Sequence, residues 1–287
     1  MPLSTKSILL VVNADDFGMT TGVNQGIIRA HQLGVVTSTS LMAAGEAFEE
    51  AIQLRAEVPE LSIGIHLTLT GCQPVAPPGK IASLLSPSGA LYSDHITFLK
   101  AYLTGKINLN HVITEFRAQL DKIKKRGIPI SHLDGHQHLH VLPGIIDITL
   151  SLAKEYQIPW IRHSYDSDRI PFNPGLRGLR MCASFARKKI LKSGLNTPDH
   201  FWGTAYSGTL TEEALLKIIS RLRDGINEVM CHPGEEIVKG EDDRPNRKID
   251  RLSELEALVS PTVKNALNQS HIELTNYSAL LPVGTRN

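Results

Sequence analysis

The chain is predicted to fold as an α/β barrel of seven or eight parallel strands, with its active site at the C-terminal strand ends. Three observations predict this. Strand-like runs alternate with helix-like runs along most of the 287 residues. Chemically capable side chains fall at the ends of well-separated strands: Asp15 and Asp16, His66, Asp134 to His140, Arg162 and His163, and His232. No G-x-G-x-x-G follows the first strand, which leaves the dinucleotide-binding version of a doubly wound sheet without support.

Each unit has its own signature. "SILLVVNA" is a continuous β-branched run, as in a strand buried on both faces, and "GVNQGIIRAHQLG" follows with helical apolar spacing and a closing Gly. "VVTSTSLMA" and "EAFEEAIQLRAEV" repeat the unit. "LSIGIHLTL", then "ISHLDGHQHLHV" with "PGIIDITLSLAKEY", then "IPWIRHS", then "INEVMCHPG" with "RLSELEALVS" continue it, and "HIELTNYS" supplies a last strand. Two stretches, about 70 to 109 and about 166 to 205, are rich in Pro, Gly and aromatic residues and read as insertions over the active face. With no interdomain linker and no short repeat, residues 1 to 287 read as a single barrel domain.

Composition limits the function. Lys plus Arg number 30 against 29 Asp plus Glu, a net charge of +1, so no global field points to nucleic acid or an anionic membrane. Cys72, Cys182 and Cys231 show no CxxC spacing and fit a reducing cytosol. The apolar run at the N-terminus is short and breaks into acid, so it reads as a strand and not a signal peptide. No apolar stretch approaches the roughly 20 residues that span a bilayer. A cytoplasmic protein without membrane insertion is expected.

The densest chemical signal is "HLDGHQHLH", where four of the chain's 12 His fall within nine residues. Metal binding is the usual cause of such clustering. Gly135 turns the chain, so the four imidazoles cannot all reach one ion. "ADDFG" adds an acid and "GIHL" a His, giving an Asp/His/His donor set suited to zinc or a similar divalent ion with a position left for water. One of the two adjacent carboxylates then binds the ion while the other is free to accept a proton. Taken singly, the Asp pair would equally cap the next helix, and a lone His66 on an apolar strand is more often a satisfied core histidine. Their joint placement at strand ends favours the metal.

"NADDFGMTTGVNQGIIRAHQLGVVTSTSLMA", "GIHLTLT", "HLDGHQHLHVLPGI", "RHS", "GTLTEEAL" and "EVMCHPGE" together resemble the YdjC-like carbohydrate deacetylases, a family that includes chito-oligosaccharide deacetylases and a branch associated with hopanoid biosynthesis. The resemblance implies a distorted TIM-like barrel that hydrolyses the acetamide of an N-acetylated sugar with one divalent ion, magnesium by the family's usual description, with zinc the alternative. It implies Asp16, His66 and His136 as ligands, Asp15 as base and His232 as general acid. "DSHHH" is common in the family where this chain has "DGHQH", which leaves the roles of His138 and His140 open. A homodimer is implied on the same ground.

The expected mechanism follows. The ion polarises the acetyl carbonyl and acidifies a water, Asp15 takes the proton, and His232 protonates the departing amine. Arg162 orients Asp15 by a charge-assisted pair. Asp134, His138 and His140 orient ligands, and Trp202, Phe201 and Tyr206 offer faces for a sugar ring. Two rivals stand beside this reading: a metal-dependent phosphoesterase, which ordinarily needs two close ions, and a sugar- or metal-binding protein without catalysis.

Overall fold

The computed structural model describes residues 7–168, 174–235 and 250–280. Strands β1 (Ile8–Phe17), β2 (Ser38–Leu41), β3 (Ser62–Leu67), β4 (His132–Gly135), β5 (Trp160–Ile161), β6 (His200–Trp202) and β7 (Gly225–Cys231) form one parallel path. Their order is β5-β4-β3-β2-β1-β7-β6, and β8 (Ile272–Leu274) pairs with β1 beside β2. The path curls into a distorted TIM-like barrel. Isolated parallel bridges, Trp160 to Asn196 and Asp166 to Phe201, link the segments next to its two outer strands.

Helices α1 (Thr21–Gln32), α2 (Phe48–Glu57), α3 (His95–Leu103), α4 (Leu109–Lys124), α5 (Ile145–Glu155), α6 (Pro174–Ser193), α7 (Glu212–Ile219), α8 (Arg251–Val259) and α9 (Pro261–Gln269) clothe the sheet. Alternation along β1 decides what goes where. Leu10, Val12 and Ala14 face the helices and join the main core with Val23 and Ile27 of α1. Val11, Asn13 and Asp15 face the interior.

That interior is stratified by chemistry. At the N-terminal strand ends Val11, Trp160, Ile226, Tyr277 and Leu280 form a small apolar floor. Polar Asn13, Ser40, His132 and Glu228 lie above it, all buried. Gly64 leaves room for the His132 ring, because a Cβ there would lie 2.3 Å from the imidazole. At the C-terminal ends stand Asp15, His66, Asp134 and Arg162.

Two expectations need correction. β6 lies inside the stretch read as the second insertion, so residues 166 to 205 are not all inserted; three strand residues between Pro198 and Gly203 leave no readable period. Residues 169–173 of that stretch lie outside the described residues. The first strand, read as "SILLVVNA" and so as ending at Ala14, runs on to Phe17 and carries the acidic pair within it.

Candidate active site

The register of β1 against β2 shifts between Ala14 and Phe17, and Asp16 takes a left-handed φ of 71°. The bulge sends adjacent carboxylates in different directions. The following turn is pinned by Asn24 of α1, whose Oδ1 accepts the Gly18 N–H at 2.6 Å and whose Nδ2 donates to Ala47 O at 3.1 Å. An acidic residue in this conformation costs about 1–3 kcal/mol, which points to a use for the direction it gives.

Asp16 Oδ1 lies 3.3 Å from His66 Nε2 and 3.1 Å from His136 Nδ1, while Arg251 of α8 donates to its Oδ2 at 2.7 Å. The three donor atoms of Asp16, His66 and His136 lie within 4.8 Å of one another. On its far side His66 Nδ1 donates to Asp134 Oδ1 at 2.7 Å, and the Ser40 hydroxyl donates to Asp134 Oδ2 at 2.7 Å. This carboxylate leaves Nε2 facing Asp16, the arrangement that orients a metal-binding imidazole. One carboxylate and two imidazoles therefore fit a divalent ion.

The charges agree with that use. Burial alone would raise the Asp16 carboxyl, but Arg251, then His136 and His66, hold it well below the usual carboxylate range. Burial opposes a charged His66, yet Asp134 and then Asp16 and Asp15 push it up to about 10. A cation taking Nε2 displaces that proton, so binding strengthens as pH rises.

Arg162 sits at the centre of the acids, fully buried. Nη1 and Nη2 donate to Asp15 Oδ2 and Oδ1 at 2.6 and 2.8 Å, Nε donates to Glu228 Oε1 at 2.8 Å, and Nη1 lies 2.8 Å from Asp134 Oδ2. Asn13 adds a bond to Asp15 Oδ1 at 2.9 Å. A second donor group, Asp15, His66 and Asp134, also falls within 4.8 Å. The guanidinium already supplies its cation.

Glu228 is the least satisfied acid of this set. Burial raises its carboxyl and Arg162 only partly offsets this, leaving it at about 7. Its folded value is above its ordinary value of 4.5, so its stabilisation is complete below about pH 4.5 and is lost as pH rises through about 7. Glu228→Gln keeps an acceptor for Arg162 and removes the titration. Urea unfolding from pH 4.5 to 8 should show wild type losing roughly 3 kcal/mol relative to the variant. Parallel pH profiles would show that Glu228 does not titrate in this window.

Next to the β1 end, His232 follows β7, whose Cys231 pairs with Ala14. Glu254 of α8 accepts the His232 backbone N–H at 2.6 Å and lies 3.8 Å from its Nδ1. Burial disfavours the imidazolium, but Glu254, then Asp15 and Asp16, raise its pKa above the ordinary value. The turn is held tightly against α1: a Cβ on Gly26 would lie 2.4 Å from the Gly234 Cα.

Residues 9–269 match the YdjC-like protein family over most of the chain. The chain belongs to the YdjC-like family. Among similar family proteins are carbohydrate deacetylases of Thermoanaerobacter pseudethanolicus, 30% identical over 94% of this chain and 98% of that protein, and of Brevibacillus brevis, 32% identical over 94% and 99%. A solved structure from Enterococcus faecalis V583, provisionally described as a cellobiose-phosphate cleavage protein, superposes with a TM-score of 0.77 at 30% identity, covering 95% of this chain and 98% of that one.

Within this YdjC-like site the structure brings Asp15, Asp16, His66, Asp134, His136 and Arg162 together and sets His232 beside them. His138 is half-buried, with Nδ1 3.1 Å from the Ser164 hydroxyl and its ring edge-on to Phe201. Burial, then Arg162, hold it well below the usual range and so neutral. His140 Nε2 donates to the Arg162 carbonyl at 2.9 Å, which makes it a brace for the β5 backbone. Gln137 and His138, both left-handed with φ of 54° and 59°, separate these directions. Trp202 does not join the cluster: it is 1% exposed and donates its indole N–H to Asn227 at 3.1 Å. The aromatic that does is Phe201, whose ring centroid is 5.3 Å from the Arg162 guanidinium carbon.

Five participants escaped the sequence reading: Asn13, Ser40, Glu228, Arg251 and Glu254. Polar residues amid strands, in "VVNA", "STS" and "NEV", were signals for the first three. Arg251 and Glu254 lie in a run that reads as an ordinary covering helix.

Proposed function

We propose that this chain hydrolyses the acetamide of an N-acetylated sugar, releasing acetate and a free amine, with one divalent ion held by Asp16, His66 and His136. The observation that carries the reading is the placement of an oriented carboxylate, Asp15, and a cation-favouring imidazole, His232, beside one three-donor cluster. The relatives' name, carbohydrate deacetylase, supports the bond class and the sugar. When bound, the ion's contribution is Lewis acidity toward the acetyl carbonyl and water. Two imidazoles and a carboxylate suit zinc, whereas magnesium ordinarily takes oxygen donors, the ion implied by the family resemblance.

The protein's own groups do the proton transfers. Asp15, locked by Arg162 and Asn13, removes a proton from the attacking water. His232 delivers a proton to the nitrogen, which an amide needs because an amine anion leaves poorly. Asp134 keeps His66 in one tautomer, and Arg251 fixes the second oxygen of Asp16. The two-ion phosphoesterase is disfavoured because Arg162 fills the second donor group.

Because Glu254 raises the His232 pKa, acid catalysis is present below the raised value and declines as pH rises through it. Glu254→Gln should move this alkaline limb to lower pH and slow amide turnover by up to about 10²-fold at neutral pH. An activated aryl acetate, whose leaving group needs no proton, should be spared. Equal losses on both substrates would reduce Glu254 to a structural role.

The deciding experiment strips the protein of metal and reloads it with magnesium, zinc, cobalt or manganese. Acetate release from diacetylchitobiose and from N-acetylglucosamine is then measured beside the bound metal. One ion per chain with metal-dependent acetate is expected. Failure to release acetate with any ion would remove the proposal for these acceptors, and two ions per chain would return the phosphoesterase.

A further inference from the structure

Helix α6 presents a face that the barrel does not use. Along Pro174–Ser193 it carries Arg177, Arg180, Arg187, Lys188, Lys189 and Lys192 and no acidic residue, although the whole chain is only +1. Ala183, Ala186 and Ile190 are buried against the core. On the other side Met181 is 76% exposed, Phe185 43% and Leu191 54%, interleaved with exposed Lys188 and Lys192. Large apolar side chains among cations on a helix already packed by its inner face are the pattern of a surface that meets anionic lipid.

The face adjoins the candidate site. Arg180 stacks over Tyr165, 4.4 Å from the ring centroid, and donates to the carbonyls of Asp166 and Asp168 at 3.2 Å. Those residues continue the strand end that carries Arg162. Beside α6 lies the end of α3, where Leu103 is 81% exposed between exposed Lys100 and Lys106. The neighbouring Tyr102 donates its hydroxyl to Pro143 O, and its phenol is raised by burial and then by Cys182 of α6 and Asp147 of α5.

We propose that the exposed face of α6, with Leu103 alongside, docks this protein on an anionic bilayer surface, with Met181 and Phe185 entering among the headgroups and Lys188 and Lys192 meeting their phosphates. Charge decides against a second copy as the occupant. A two-fold interface sets a patch against itself, and although Lys189 is paired with Asp147 of α5, the exposed Lys188 and Lys192 of this face would meet like charge with no acidic residue on α6 to answer them. A bilayer rich in anionic lipid supplies both the negative charge and the apolar boundary. The docking stands apart from the deacetylase reading, because vesicle binding is measured without turnover.

The test is cosedimentation of the full chain with vesicles of phosphatidylcholine alone or mixed with phosphatidylglycerol, at low and high salt. Binding is expected only to the anionic vesicles, and it should weaken as salt rises. Lys188→Gln and Lys192→Gln should each weaken it about fivefold. Met181→Ser with Phe185→Ser should abolish most of it, while far-ultraviolet circular dichroism is unchanged because these side chains leave the core untouched. Failure to bind any vesicle, or binding indifferent to all four substitutions, would overturn the proposal. So would a dimer in sedimentation velocity that Phe185→Ser splits while vesicles do not bind.

Discussion

Asp15→Asn is expected to lower amide turnover by about 10³-fold while leaving the metal count per chain unchanged. The two halves of that result are separable because Asp15 and Asp16 diverge at the β1 bulge. Asp15 is held by Arg162 and Asn13, and Asp16 shares its Oδ1 with His66 and His136. Asparagine retains an oxygen for one Arg162 N–H, so a stability loss of about 1–3 kcal/mol should accompany the change and can be read by urea unfolding. Full turnover in the variant would sink the base assignment. Loss of metal together with turnover would instead make Asp15 a part of the ion's cage.

Arg162→Met should have the largest effect on stability. It leaves Asp15, Asp134 and Glu228 buried without the cation they share, and breaking a buried ion pair typically costs about 3–5 kcal/mol. The pH dependence gives the test its sign. Burial would raise Asp134, but Arg162 and then His66 hold it far below the ordinary range. Such a depressed acid stabilises the fold above about pH 4, and that stabilisation is lost as pH falls through its folded value. The gap between wild type and variant should therefore be widest near neutrality and shrink toward acid. A gap that is constant from pH 7 to pH 3 would assign the loss to packing and not to charge.

What could be read from sequence was whatever local pattern encodes. Continuous apolar runs marked β1 and β3, and the residues at their ends, Asp15, Asp16 and His66, needed only the convergence of strand ends to meet. The Arg162 position followed in the same way from "IPWIRHS". Position within a short strand was not encoded locally. Without β6 there was no parity to tell that Phe201 faces inward and Trp202 outward, so both members of the pair were offered to a sugar and only Phe201 reaches the cluster. Arg251 and Glu254 were hidden for a different reason. The α8 pattern is that of an outer helix, and only its tertiary tilt over the β1 and β7 ends brings a guanidinium to Asp16 and a carboxylate to His232.

The pairing of β1 also has a temporal side. Its Val12 to Ala14 backbone is flanked on one edge by Val229 to Cys231, and its Ile8 to Leu10 backbone on the other by Ile272 to Leu274. The acidic pair of β1 is synthesised long before the strands that flank it, β7 (Gly225–Cys231) and β8 (Ile272–Leu274). Non-local pairings of this kind close slowly, because a long loop must be ordered before they are rewarded. The cradle proposed for a divalent ion is thus expected to be an end product of folding and not its nucleus. In refolding, recovery of metal binding should coincide with the slowest phase.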